Sequence, residues 1–211
     1  MFDKPGDKLM RLITLATILA VIAGPAFAHH PMGGETPETL LHGLMSGVGH
    51  PIIGIDHFAF IIAAGVLAAV IKSRLWVLAP LGLVAGALLG SAIHLLAINI
   101  PSAEVLVAIS VVVAGASMAI GAQAGLGVLI VAFAFAGIFH GYAYAESVIG
   151  AEKSIIAAYL ISFSGTQWVL ALLAGFAARL TIGQVSWGRT RAIAGSAIAG
   201  LGAVLLAQAI V

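Results

Sequence analysis

The stretch GHPIIGIDHFAFIIAAGVLAAVIKSR, Gly49 to Arg74, decides how the chain is to be read. From Ile52 to Ile71 it runs almost unbroken in apolar residues, about the twenty that a helix needs to cross a bilayer at roughly 1.5 Å per residue. It ends on two cations, Lys72 and Arg74. Yet His50, Asp56 and His57 sit in its opening turns. Ionisable groups in hydrocarbon cost a few kcal/mol or more, so they face a bundle interior or a wet cavity and take a partner there. The stretch therefore predicts a membrane helix with a polar site near one end.

The rest of the chain agrees. Of 211 residues, 62% are hydrophobic and only 8% are charged, against about a quarter charged in soluble domains. So few charges cannot cover a surface that faces water, and lipid must be the solvent for most of the chain. The net charge of +1 offers no footprint for nucleic acid. The absence of cysteine removes disulfides, zinc–thiolate sites and thiol catalysis together.

Residues 1–28 read as a secretory signal peptide. Lys4, Lys8 and Arg11 precede a short apolar run from Leu12 to Ala23, and Ala26-Phe27-Ala28 is a small-x-small cleavage site. Removal would leave His29-His30-Pro31 as the mature start, in a periplasmic segment 29–51. Six apolar segments follow within residues 52–211, at about 52–71, 75–98, 103–121, 125–147, 154–178 and 191–210. No segment alternates as a barrel strand would. The expected fold is all-α, a polytopic transmembrane bundle of six spanning helices with a short outer helix before the first. That outer helix is expected to break near Gly49-His50-Pro51, because proline suits the first turn of a new helix.

Loop charges orient the bundle. A periplasmic mature N-terminus puts Lys72, Arg74, Arg179, Arg189 and Arg191 on the cytoplasmic side. Glu35, Glu38, Glu104, Glu146 and Glu152 fall outside, with Lys153 the one outer cation. This is the positive-inside pattern of an inner-membrane protein with both termini outside. Gly82, Gly86 and Gly90 recur every four residues and predict a face on the second span that a neighbouring backbone approaches closely.

On this topology all seven histidines lie outside or in the outer half. His29, His30 and His42 precede the first span, His50 stands at its mouth, and Asp56 and His57 lie about 9 Å deeper. His94 is near the outer end of the second span. In FHGYAYAE, Phe139 to Glu146, His140 and Tyr144 are one turn apart and share a face. Glu146 lies roughly 120° round the axis from His140. Either the helix ends near Gly141, or Glu146 serves an entrance and His140 a deeper site.

Imidazole and carboxylate without thiolate form a ligand set for Ni²⁺, Co²⁺, Zn²⁺ or Cu²⁺. The candidate metal ligands are His50, Asp56, His57, His140 and Glu146, with His29, His30, His42 and His94 as accessory candidates. The inner half offers only Ser162, Ser164, Thr166 and Gln167 on the fifth span, with Ser91 and Ser117 elsewhere. Oxygen and amide groups there could form a weak relay, or could simply bond helix to helix.

GHPIIGIDHFAF resembles the H-P-x-x-G-x-D-H signature of the HupE/UreJ family, and HGYAYAE is similar to its second signature, H-G-x-A-x-x-E, on a later helix. The two motifs, their order and the six spans cover most of the chain. The resemblance implies a nickel or cobalt permease associated with metal supply to hydrogenase or urease. It carries His50, Asp56 and His57 over to the first signature and His140 and Glu146 to the second. Relatives often have Leu and Met after the Asp-His pair, where Phe58, Ala59 and Phe60 stand. They often have His in place of Tyr144, which bears on how many imidazoles line the path.

No G-x-x-x-x-G-K-[ST] loop is present, so the chain itself is not expected to hydrolyse nucleotide. The expected function is import of Ni²⁺ or Co²⁺, the metal being substrate and not catalytic cofactor, with the lipid bilayer as the other partner. An intramembrane serine protease is suggested by SFSGT, Ser162 to Thr166, but the histidines are not at that depth. A membrane metal-dependent hydrolase or hydroxylase would use the same ligands with an open metal position. A non-transporting metal sensor or accessory subunit is the third reading. Small size and sparse inner ligands leave room for a homo-oligomer or a partner subunit.

Overall fold

Thr39 begins the ordered chain of helices. Its hydroxyl accepts from the His42 amide at 3.1 Å and caps α1, Leu40–Ile53, satisfying one of the amide groups that a helix start leaves open. The computed structural model describes residues 35–211. The leader 1–28 and the proposed metal-binding start at His29 and His30 lie outside the described residues.

Helix α1 runs straight through Pro51 and ends at Gly54, where ψ opens to 100°. The chain turns there by 74° and starts again as α2, Ile55–Ala69. The break therefore falls after Pro51, not at Gly49-His50-Pro51 as the proline suggests. The reason is local. Gly54 still donates its amide to the His50 carbonyl at 3.0 Å, and its own carbonyl accepts from Phe58 at 2.8 Å, so it belongs to both helices. A Cβ on Gly54 would stand 2.7 Å from the His57 ring, and only glycine leaves that ring its place.

A 3₁₀ turn, Arg74–Leu78, capped by the Ser73 hydroxyl, leads into α3, Ala79–Leu95. Then follow α4, Ala103–Ile120; α5, Leu126–Ala145, with a 3₁₀ turn over Glu146–Val148; α6, Lys153–Thr181; and α7, Trp187–Ala209. No strand occurs among the described residues. Five helical stretches are long and apolar enough to cross a membrane: Arg74–Leu95, Ala103–Ile120, Leu126–Val148, Lys153–Thr181 and Trp187–Ala209. The bent pair α1–α2 passes the same test when its halves are taken together.

The helices join through glycine. Gly82, Gly86 and Gly90 of α3 lie against the backbones of Ile130, Ala134 and Ile138 on α5, so the two helices run parallel. Gly137 and Gly141 of α5 return the contact to Leu83 and Ala87. Gly115 on α4 and Gly195 on α7 face each other in an antiparallel pair extended by Gly202. The direction of the bent pair can be read in the same way. Gly43 faces Ile155, Gly47 faces Tyr159 and Ser162, and Gly65 faces Ala171. The Arg179 guanidinium then donates to the Ile71 carbonyl at 3.1 Å. Both halves thus descend along α6 from one end to the other.

Large apolar side chains such as Val131, Phe135, Ile161 and Leu173 are exposed on the outside. His50, His57, His140 and Gln167 are buried within. This is the distribution that a lipid solvent imposes. Charge is sorted to the two ends. Val70, Gly121 and Arg191 line one cavity, next to Arg179 at Ile71. Glu35, Glu38 and Glu152 line another at the far end.

Arg191 closes the C-terminus of α4, donating through Nη1 to the carbonyls of Met118 and Ala119. A cation suits that negative end of the helix. Arg191→Gln is expected to lower stability by about 1–3 kcal/mol, since hydrogen bonds from a charged donor fall in that range. Thermal unfolding in detergent measures it; an unchanged midpoint would remove the cap from the account.

Candidate metal centre

Five helices supply the side chains of one buried polar cluster. α1 brings His50 from its last turn, and the Gly54 bend aims the first turn of α2 back at it, delivering Asp56 and His57. α5 brings His140 and, one turn on, Tyr144, with Ser147 in the 3₁₀ turn that follows. α4 adds Ser110 and α6 adds Tyr159. His50, His57 and His140 are 2%, 1% and 1% exposed, so their polar atoms must find partners inside the protein.

Those partners are one another and the hydroxyls around them. His57 Nδ1 and His140 Nδ1 are 2.7 Å apart, and His140 Nε2 lies 2.8 Å from the Ser110 hydroxyl. His50 Nδ1 lies 2.9 Å from the Tyr159 hydroxyl and 3.4 Å from that of Ser147. The rings are held by aromatic faces. Tyr144 stacks on His57 at 4.1 Å between centroids and meets His50 edge-on at 4.8 Å. Phe60 covers His140 at 4.6 Å. The His50 and His57 rings are 5.5 Å apart.

Asp56 stands beside His57. Its Oδ1 accepts from the His57 amide at 2.8 Å and lies 3.9 Å from His57 Nε2. Two ligand atoms about 2.1 Å from a tetrahedral ion lie about 3.4 Å apart, so these two atoms would have to close slightly to share one ion. Among the described residues, no three of His, Asp and Glu are grouped in the way that would hold an ion between them.

The other sequence candidates lie elsewhere. Glu146 is exposed; α5 continues past Gly141 to Ala145, and the residue turned against His50 is Ser147. His94 forms a separate contact, its Nδ1 2.7 Å from the Tyr142 carbonyl and its ring against that of Tyr142. His42 is half-buried near the start of α1, and its Nδ1 has no hydrogen-bond partner among the described residues. Of the other polar residues, Ser162 and Thr166 donate to carbonyls of their own helix, and Ser91, expected in the inner half, donates across to Gly141, beside His140. Ser164 Oγ and Gln167 Nε2 are buried without a partner among the described residues.

Sequence reasoning passed over Ser110, Ser147 and Tyr159. Each is a single hydroxyl with no motif around it. Their importance arises only when α4, α5 and α6 meet, and the signal available beforehand was the placement of Tyr159 one and two turns above Phe163 and Gln167 on a common face of α6.

Comparison with known proteins bears on this arrangement. The sequence matches the family described as HupE / UreJ protein over residues 17–205. It is 26% identical over 197 residues to Protein HupE of Rhizobium leguminosarum bv. viciae, an alignment that covers 93% of this chain and 99% of the relative. No solved structure matches.

Proposed function

Because the chain belongs to the HupE / UreJ family, we propose that it is an inner-membrane permease that imports a divalent transition-metal ion, Ni²⁺ or Co²⁺. The observation that carries the reading is the burial of three imidazoles, with the half-buried Asp56 carboxylate beside His57, inside a bundle whose outer surface is apolar. Imidazole and carboxylate donors suit these borderline cations.

The broken pair α1–α2 serves as one span, which makes six and puts both mature termini outside. Its parallel descent along α6 supports this, and so does the gathering of Arg179 and Arg191 with Ile71 and Val70 at one end. That basic end faces the cytoplasm, and the leader is removed at Ala28. The acidic face at Glu35, Glu38 and Glu152, with His29 and His30 of the mature start, raises metal concentration at the entrance, where Glu146 also stands. A bend at membrane depth is tolerated where it lines a cavity.

Entry down an inside-negative potential yields about 4.6 kcal/mol per 100 mV for a dication, at roughly 2.3 per charge. No nucleotide or resident cofactor is required, and the protein acts as a transporter, not an enzyme. Liposomes reconstituted with the full chain and loaded with a Ni²⁺- or Co²⁺-sensitive dye test this. Metal-dependent dye response that grows with imposed inside-negative potential is expected. Metal binding without entry would convert the protein into a sensor or accessory subunit.

The same assay carries a pH prediction. Imidazole ligates only when neutral. Lowering the outer pH from about 7.5 to about 5.5 is therefore expected to weaken uptake, with recovery on return. A rate that rises in acid would point to proton-coupled entry instead.

A further inference from the structure

We propose that Ser110 and Tyr159 are positioning residues that fix the tautomers of the histidine cluster, so that His57 and His50 carry their lone pairs on Nε2 while His140 supports His57 and does not ligate. The assignment deepens the transport reading and rests on it only for the identity of the ion.

A hydroxyl has one proton to give. Ser110 Oγ gives its proton to the Val107 carbonyl at 2.7 Å. Towards His140 Nε2, 2.8 Å away, it can only accept, so that nitrogen carries the proton. In a neutral ring the other nitrogen, Nδ1, is then the acceptor. His57 Nδ1 lies 2.7 Å from it and must donate. The lone pair of His57 is therefore on Nε2, the atom 3.9 Å from Asp56 Oδ1.

A second chain reaches the same result on the other imidazole. Tyr159 gives its proton to the Tyr144 carbonyl at 2.8 Å. It can only accept from His50 Nδ1 at 2.9 Å, which leaves the lone pair of His50 on Nε2. Ser147 also donates to the Tyr144 carbonyl, at 2.9 Å, and likewise offers His50 only an acceptor. Two backbone carbonyls, at Val107 and Tyr144, thus set the proton positions of three rings on three different helices.

The consequence divides the cluster into two roles. His140 spends Nε2 on Ser110 and Nδ1 on His57, and has no lone pair left for an ion. Its acceptor nitrogen holds the His57 ring in place, as the outer partner of a ligating histidine does.

The test uses the full chain in detergent with ¹⁵N-labelled histidine, metal-free, at a pH above the histidine range. Single His→Gln variants assign the signals. The expected spectrum has a protonated Nε2 on His140 and a protonated Nδ1 on His57 and His50. Protonated Nδ1 on His140, or protonated Nε2 on His57, overturns the proposal. Titration with Ni²⁺ and Co²⁺ follows on the same samples. Ser110→Ala should weaken binding about 10–100-fold, the usual effect of losing an outer partner, and Ser110→Thr, which keeps the hydroxyl, should restore it. His140→Gln keeps an acceptor for His57 and should retain binding within about 10-fold of wild type, while His57→Gln should abolish it. Equal losses in those two variants would make His140 a ligand and refute the division. Wild type that shows the expected tautomers yet binds neither metal would uphold the assignment and remove the transport reading.

Discussion

His57→Ala is expected to stop metal entry: in liposomes with an internal Ni²⁺- or Co²⁺-sensitive dye, the response should fall more than about 100-fold, beyond the effect expected from losing an outer partner. The ring is at the centre of the cluster. It donates to His140, stacks on Tyr144, faces His50, and brings Nε2 to 3.9 Å from the Asp56 carboxylate. Alanine removes the donor atom and leaves Asp56 beside an apolar gap. It also leaves His140 Nδ1 buried without its donor, which costs about 1–3 kcal/mol in stability. Loss of transport is therefore read beside a thermal melt. A folded His57→Ala protein with an undiminished dye response would dismiss the cluster as the binding site, whatever the protein's function proved to be.

The second large effect is structural. Gly86→Leu should abolish recovery of folded protein, seen as loss of a monodisperse peak after detergent extraction. A Cβ at Gly86 would stand 2.0 Å from the Ala134 carbonyl oxygen, where ordinary contact begins at 3.4 Å. The obstacle is backbone, so α3 and α5 would have to separate by more than 1 Å along their whole length. Overpacking that side chains can absorb costs about 1–3 kcal/mol; this displacement exceeds what they can absorb. Gly127→Leu on α5 is the control, because nothing lies within 4 Å of its Cβ position. Equal recovery of the two variants would show that the close glycine contact does not hold the bundle together.

Both effects were partly legible in the sequence. Apolar length gave the last five spans to within a few residues, since a bilayer demands a run of fixed length, but not the first: Ile55–Ala69 is too short to cross alone and passes only together with Leu40–Ile53, which reads in the sequence as a separate outer helix. The spacing of Gly82, Gly86 and Gly90 announced a close helix contact, but one helix cannot name its partner, and only the structure identifies α5. His50, Asp56, His57 and His140 were legible because charge in oil needs a reason. Glu146 was selected by the same logic, yet the 3₁₀ turn at the end of α5 leaves it exposed and turns Ser147 inward. The break at Gly54 was hidden by Pro51, the stronger local signal, because proline is tolerated there and the steric demand of the His57 ring is not written in the nearby residues. Ser110 could not be found at all, since a hydroxyl that bonds its own helix backbone and one that orients an imidazole are identical in sequence, and Tyr159 had only its common face with Phe163 and Gln167 to mark it.

The glycine contacts tie α3 to α5 and α4 to α7 far more tightly than α4 is tied to α5. Leu106, Ile109, Val113, Val128, Phe135 and Phe139 line an apolar cleft along that third boundary. The Ser110–His140 hydrogen bond spans it. If the two zipped pairs rock against each other, this seam is where the slip is taken up, and the greasy walls offer little resistance. The polar stitch would then part first, releasing the proton arrangement of the imidazoles at the moment the halves move and making the hold on a cargo ion contingent on the protein's own shape.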